Sequence, residues 1–151
     1  MKTLLVALAL TFTRLIGTAS LASTPEQEKA FVDAYKKAYD AKDGKTLQSF
    51  LYTKDADPQV LQFYIMMMTN DLGEKNATIE LVNLTPEDVK KAAATQPLPS
   101  GQDGKLPLKP FKKLVIKVET SDANGSSTSS SQSFVAEKDG KLVIPVPAPV
   151  K

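Results

Sequence analysis

Apolar and polar positions alternate with two different periods along this chain. From Leu106 to Val146 the period is two. Leu114, Ile116 and Val118 alternate with Lys113, Lys117 and Glu119, and Leu142, Ile144 and Val146 repeat the pattern. This predicts three strands, Lys112–Ser121, Ser127–Glu137 and Lys141–Val146, in a C-terminal meander. Asn124-Gly125 and Asp139-Gly140 stand at the joints, and both dipeptides accept the positive φ of tight hairpins. Between Ser126 and Ser133 the alternation is lost, so that half-strand is expected to be exposed and frayed. Phe134 and Ala136 then restore an inward face. A sheet with one apolar face needs a cover.

The period in the N-terminal half is that of a helix. Ala30, Phe31, Ala34, Tyr35, Ala38 and Tyr39 fall on one face, after a helix start at Thr24-Pro25-Glu26-Gln27. Lys45–Tyr52 has apolar spacing for a short second helix. Asp57 and Pro58 open a third, running to Leu72 with Gly73 as its stop. Its Met66-Met67-Met68 run cannot all face inward, so one methionine should reach a groove, a partner or solvent. Asn76–Leu84 reads as a strand, and Thr85-Pro86-Glu87-Asp88 starts a fourth helix ending near Ala94. Gln96–Pro110 carries four prolines and two glycines. It is expected to be a connection without regular structure, either slack or a lid. The prolines after Val146 should end strand pairing. The fold class is therefore α+β, with helices on one face of a curved antiparallel sheet.

Composition narrows the chemistry. Histidine, cysteine and tryptophan are absent. That removes the usual zinc ligand, the usual general base near neutral pH and the thiol nucleophile. No metal site and no cofactor is expected. Lys2, the apolar run after it and the small residues up to Ala22 resemble an export signal over residues 1–22. Cleavage after Ala19 or Ala22 would leave one domain over residues 23–146 and an extended tail, 147–151. The chain has 19 basic and 17 acidic residues, and Lys2 and Arg14 would leave with the signal, so the remainder balances at 17 of each. A nucleic-acid footprint is not expected. Nor is stable membrane insertion after cleavage. The product would be soluble, in a periplasm or outside the cell. Lys105, Lys109, Lys112, Lys113 and Lys117 form a basic cluster, read either as protection of a sheet edge or as an anion site.

Tyr39-Asp40-Ala41-Lys42-Asp43 at the end of the first helix, the Leu47–Leu51 segment and the closing run from Phe134 to Leu142 resemble the NTF2-like (cystatin-like roll) superfamily. The resemblance implies a cavity between helices and concave sheet, for which Tyr35, Tyr39, Tyr64, Met67, Met68, Ile116 and Phe134 are the candidate lining residues. It also implies relatives of two kinds, small isomerases, dehydratases or hydrolases and non-catalytic binding or dimerisation domains. The first reading here is an exported non-catalytic domain for a small apolar ligand or a protein partner, with a homodimer as one option. The alternative is a ketosteroid-isomerase-like enzyme, with Glu80 or Glu119 as base and Tyr35 or Tyr39 as donor. Alternation places both glutamates on the wet side of their strands.

Overall fold

The computed structural model describes residues 23–70, 72–122 and 125–150. The export segment expected over residues 1–22, and Asn124 of the first hairpin joint, lie outside them.

Among the described residues, four helices and eight strands follow in the order α1 (Pro25–Asp40), α2 (Gly44–Gln48), β1 (Leu51–Tyr52), α3 (Pro58–Thr69), β2 (Ala77–Asn83), α4 (Pro86–Ala93), β3 (Gln96–Pro97), β4 (Asp103–Lys105), β5 (Lys112–Asp122), β6 (Gly125–Lys138), β7 (Lys141–Pro145) and β8 (Ala148–Pro149). The architecture is α+β. A five-stranded sheet has the order β1-β7-β6-β5-β2, and a three-stranded sheet the order β3-β4-β8.

The helix starts follow the local chemistry. At α1, Thr24 Oγ1 accepts from the Gln27 amide at 3.2 Å, and Gln27 Oε1 accepts from the Thr24 amide at 2.8 Å. This reciprocal pair satisfies two donors that the first turn leaves unpaired. Asp57 Oδ1 accepts from the Gln59 and Val60 amides at 2.9 and 3.0 Å and so caps α3. The α3 helix stops at Thr69, earlier than expected, with Gly73 three residues beyond its cap Asn70.

Phe31, Tyr35, Ala38 and Tyr39 form the buried stripe of α1, while Ala30 and Ala34 are exposed. The helix touches β2 and β7, and so crosses the sheet between them. Its stripe joins Leu47, Leu51, Met68, Ile79, Leu114, Val135, Leu142 and Ile144 in one core. Burying apolar area of this kind is the main favourable term in folding.

The register of the hairpins decides which residues reach that core. Leu114 opposes Ser133 and Lys112 opposes Val135, so Leu114, Ile116 and Val135 share the face under the helices. Phe134 opposes Lys113 and points to the other face, beside Val115 and Ala136. The expectation that Phe134 and Ala136 restore the inward face is therefore corrected. A shift of one residue exchanges the faces of a strand, and alternation resumes on Val135. The serine stretch is mostly exposed, as expected, but it is not frayed. Every residue from Ser126 to Ser133 pairs with β5.

Three further elements differ from the sequence expectation. Leu51-Tyr52 leaves the short helix and pairs in parallel with Ile144-Pro145. The Gln96–Pro110 segment contributes two short strands instead of running slack. The tail is extended but paired: Ala148 opposes Lys105, and the Val150 amide donates to the Asp103 carbonyl at 2.8 Å. Proline lacks only its own donor, so the residues between prolines keep theirs. At the second hairpin Asp139 and Gly140 have φ of 53° and 76°, the turn expected there.

Candidate functional site

α4 inverts the usual amphipathic arrangement. Its buried residue is an acid, Asp88, while Val89 is 50% exposed. Asp88 Oδ2 accepts from the Thr85 amide and hydroxyl, each at 2.9 Å, and from Lys113 Nζ at 2.9 Å. Lys113 stands on the sheet face opposite the helices α1–α3. The cap therefore fastens α4 to that second face. These bonds hold the Asp88 carboxyl well below its ordinary 3.8, at about 2, the Thr85 amide contributing most and Lys113 next.

With the acid turned toward the sheet, Val89, Ala92 and Ala93 line an open cleft. Their spacing of three and four puts them on one side of the helix. The facing wall is the strap from Lys105 to Pro110. Leu106 and Leu108 are half-buried there, and Pro107 and Pro110 restrict its backbone. The strap is anchored at its start by the three-stranded sheet. The Leu98 amide donates to the Gln102 carbonyl at 2.8 Å, and Leu98 is folded over Gly104. A Cβ at position 104 would lie 2.4 Å from the Leu98 side chain, so this approach requires glycine. The cleft encloses about 410 Å³. Its lining is apolar except for Lys105 and Lys109.

The basic cluster divides accordingly. Lys112 pairs with Glu28 at 3.1 Å, Lys113 with Asp88, and Lys117 with Glu80 at 3.7 Å. The strand bearing them, β5, lies between β6 and β2, so these lysines do not guard a sheet edge. Lys105 and Lys109 are exposed at the cleft.

The residues expected to line a cavity are placed as follows. Tyr35, Tyr39 and Met68 are buried in the core, and Tyr64 and Ile116 pack against it. Tyr35 packs against Phe50 with the rings tilted by 44° and their centres 5.4 Å apart. Met67 is half-buried on α3, and Phe134 is half-buried on the opposite sheet face. None of the seven lines the cleft beside α4. Burial raises the Tyr35 hydroxyl well above its ordinary pKa, with Tyr39 adding to the shift, and burial also raises Tyr64. Glu80 and Glu119 are both exposed. Among the described residues the buried carboxylates are Asp57, which caps α3, and Asp88, which completes the capping box of α4 opened by Thr85. Among the described residues no helix is long and apolar enough to cross a membrane, and no group of three or more metal-ligating side chains comes together.

Sequence reasoning passed over the α4 cleft. The signal was present in Val89, Ala92 and Ala93, following a helix start with an acid at its third position. The missing information was that Asp88, not Val89, faces the protein.

No protein-family model and no curated protein matches the chain. Among solved structures, the chain is similar to a protein from Xanthomonas campestris pv. campestris provisionally described as a polyketide cyclase, at 14% identity. The likeness covers 83% of this chain and 91% of that one, with a TM-score of 0.33, too loose to carry an activity across.

Proposed function

We propose that this chain is an exported, non-catalytic binding domain of the NTF2-like kind, and that it holds a small apolar molecule between α4 and the 105–110 strap. One observation carries this reading. The apolar stripe of α4 lines an open cleft of about 410 Å³ instead of packing into the core. Exposed apolar surface of this sort is costly to keep unless something covers it, and the volume suits a small ligand. The roll is supported by α1, which lies across the face formed by β2, β5, β6 and β7. Export is supported by the apolar run and small residues of positions 1–22. The non-catalytic reading is supported by the exposure of both candidate bases, Glu80 and Glu119.

The test is titration with Nile red, a neutral apolar dye, followed by fluorescence. The wild type should bind it. Ala92→Trp, which fills the cleft, and Val89→Glu, which charges it, should both lose binding while keeping their helical circular dichroism. Undiminished binding by both folded variants would overturn the reading. Native mass spectrometry of protein from its own host would then weigh any retained molecule.

A second reading, a protein-interaction domain, is favoured by α3. Phe63 and Met66 are 55% and 59% exposed, one turn apart on a helix with no charged residue. Methionine and aromatic residues without charge are typical of interface centres. Sedimentation of wild type and of Phe63→Ser/Met66→Ser tests it. Self-association lost in the double variant supports this reading, and identical sedimentation of the two removes its homodimeric form.

A further inference from the structure

The charge of the cleft is as one-sided as its apolar lining. Lys105 and Lys109 are its charged lining residues, and no acid stands among the residues that form it. Neither lysine forms a salt bridge among the described residues, whereas Lys112, Lys113 and Lys117 on the neighbouring strand each face a carboxylate. The acids of α4 are also engaged elsewhere. Glu87 pairs with Lys91 at 2.8 Å, and Asp88 is held by Lys113. The two cleft lysines flank the apolar strap residues Leu106, Pro107 and Leu108, which belong to the opposite wall from Val89 and Ala92.

We propose that the occupant is a single-chain amphiphilic anion, its hydrocarbon lying between α4 and the strap and its carboxylate held by Lys105 and Lys109. This rests on reading the cleft as a ligand site. Both halves of such a molecule find a complement. The chain covers Val89, Ala92, Leu106 and Leu108, and removes their surface from water. The head group meets two ammonium groups at the solvent margin, where an ion pair is formed without burying either charge completely. A neutral amphiphile would leave the lysines unanswered, and a cationic one would be repelled. A volume of about 410 Å³ accommodates one chain of moderate length, which favours a free acid over a two-chain lipid in a bilayer.

The experiment compares decanoate, 1-decanol and decyltrimethylammonium, all below their micellar range, by calorimetric titration of the full chain. Decanoate should bind at least about tenfold more tightly than decanol, and the ammonium compound most weakly. Lys105→Gln/Lys109→Gln should lower decanoate affinity by about tenfold and decanol affinity by much less, with circular dichroism like that of the wild type showing that the chain is still folded. Lys105→Glu/Lys109→Glu should reverse the order of the two ionic compounds. Equal binding of decanoate and decanol overturns this inference but leaves the apolar site standing. A decanoate preference indifferent to both lysine variants overturns it as well. Binding of none of the three overturns the site itself. Lysine-dependent sedimentation with phosphatidylglycerol vesicles, without binding of free decanoate, assigns the lysines to a membrane surface and overturns the proposal.

Discussion

Asp88 shows how much can depend on one side chain. It is the third residue of α4, a position where acids serve the cap, and Thr85 and Lys113 both bind its Oδ2. Its carboxyl titrates at about 2 in the folded chain, against an ordinary 3.8. A carboxyl whose folded pKa is depressed stabilises the fold fully above its unfolded value. That contribution disappears as pH falls through the folded one. Urea midpoints of wild type and Asp88→Asn should therefore differ most above pH 3.8 and converge toward about pH 2. A gap that stays constant through this window would show that Asp88 acts only through neutral hydrogen bonds. Asp57 plays the related part in α3. Ser100 and the Val60 and Gln59 amides lower its pKa, and its own amide donates to the Pro147 carbonyl at 3.1 Å. It thus joins a helix cap to the tail.

At the scale of elements, the three-stranded sheet is the part whose existence depends most on distant chain. Its strands come from the 96–105 segment and from the last residues described, and β4 lies between the other two. Removing residues after Pro147 deletes the partner of Lys105 and the bond from Val150 to Asp103. Hydrogen exchange of the Leu98 amide should then accelerate, while amides of β5 and β6 keep their protection. Nile red affinity should fall with it, because the strap is anchored at Lys105. Unchanged exchange at Leu98 would mean that the β3–β4 hairpin stands without the tail. Of these elements, α1, α3, α4 and the meander could be read from caps, periods and turn dipeptides. The parallel pairing of Leu51-Tyr52 could not, since two residues carry no period and their partner is Ile144-Pro145.

Across the whole molecule, two layers of cover meet one sheet. α1 and the helices behind it bury Leu114, Val135 and Ile144, and the second face is met by α4 through Asp88 and Lys113. The first layer should supply most of the stability, because its core residues are large and nearly inaccessible. Leu47, at 0% exposure, is a fair probe. Leu47→Ala should lower unfolding free energy by about 2–5 kcal/mol in urea denaturation. A loss below about 0.5 kcal/mol, the scale of an ordinary surface change, would show that the helices are not fixed on the sheet as described. The candidate binding cleft lies in the second layer, beside α4.

The starts of α1, α3 and α4, the Asp139-Gly140 turn and the lack of histidine and cysteine were determined by the sequence itself, because each depends on neighbouring residues or on composition. Which face Phe134 takes, which lysines stay unpaired and where apolar surface is left open were decided only by tertiary structure. Those outcomes depend on register and on contacts between residues far apart in the chain, such as Lys113 with Asp88 and Lys105 with Ala148. A period locates an apolar stripe but does not say whether protein or solvent will meet it, and for α4 that is the difference between core and cleft.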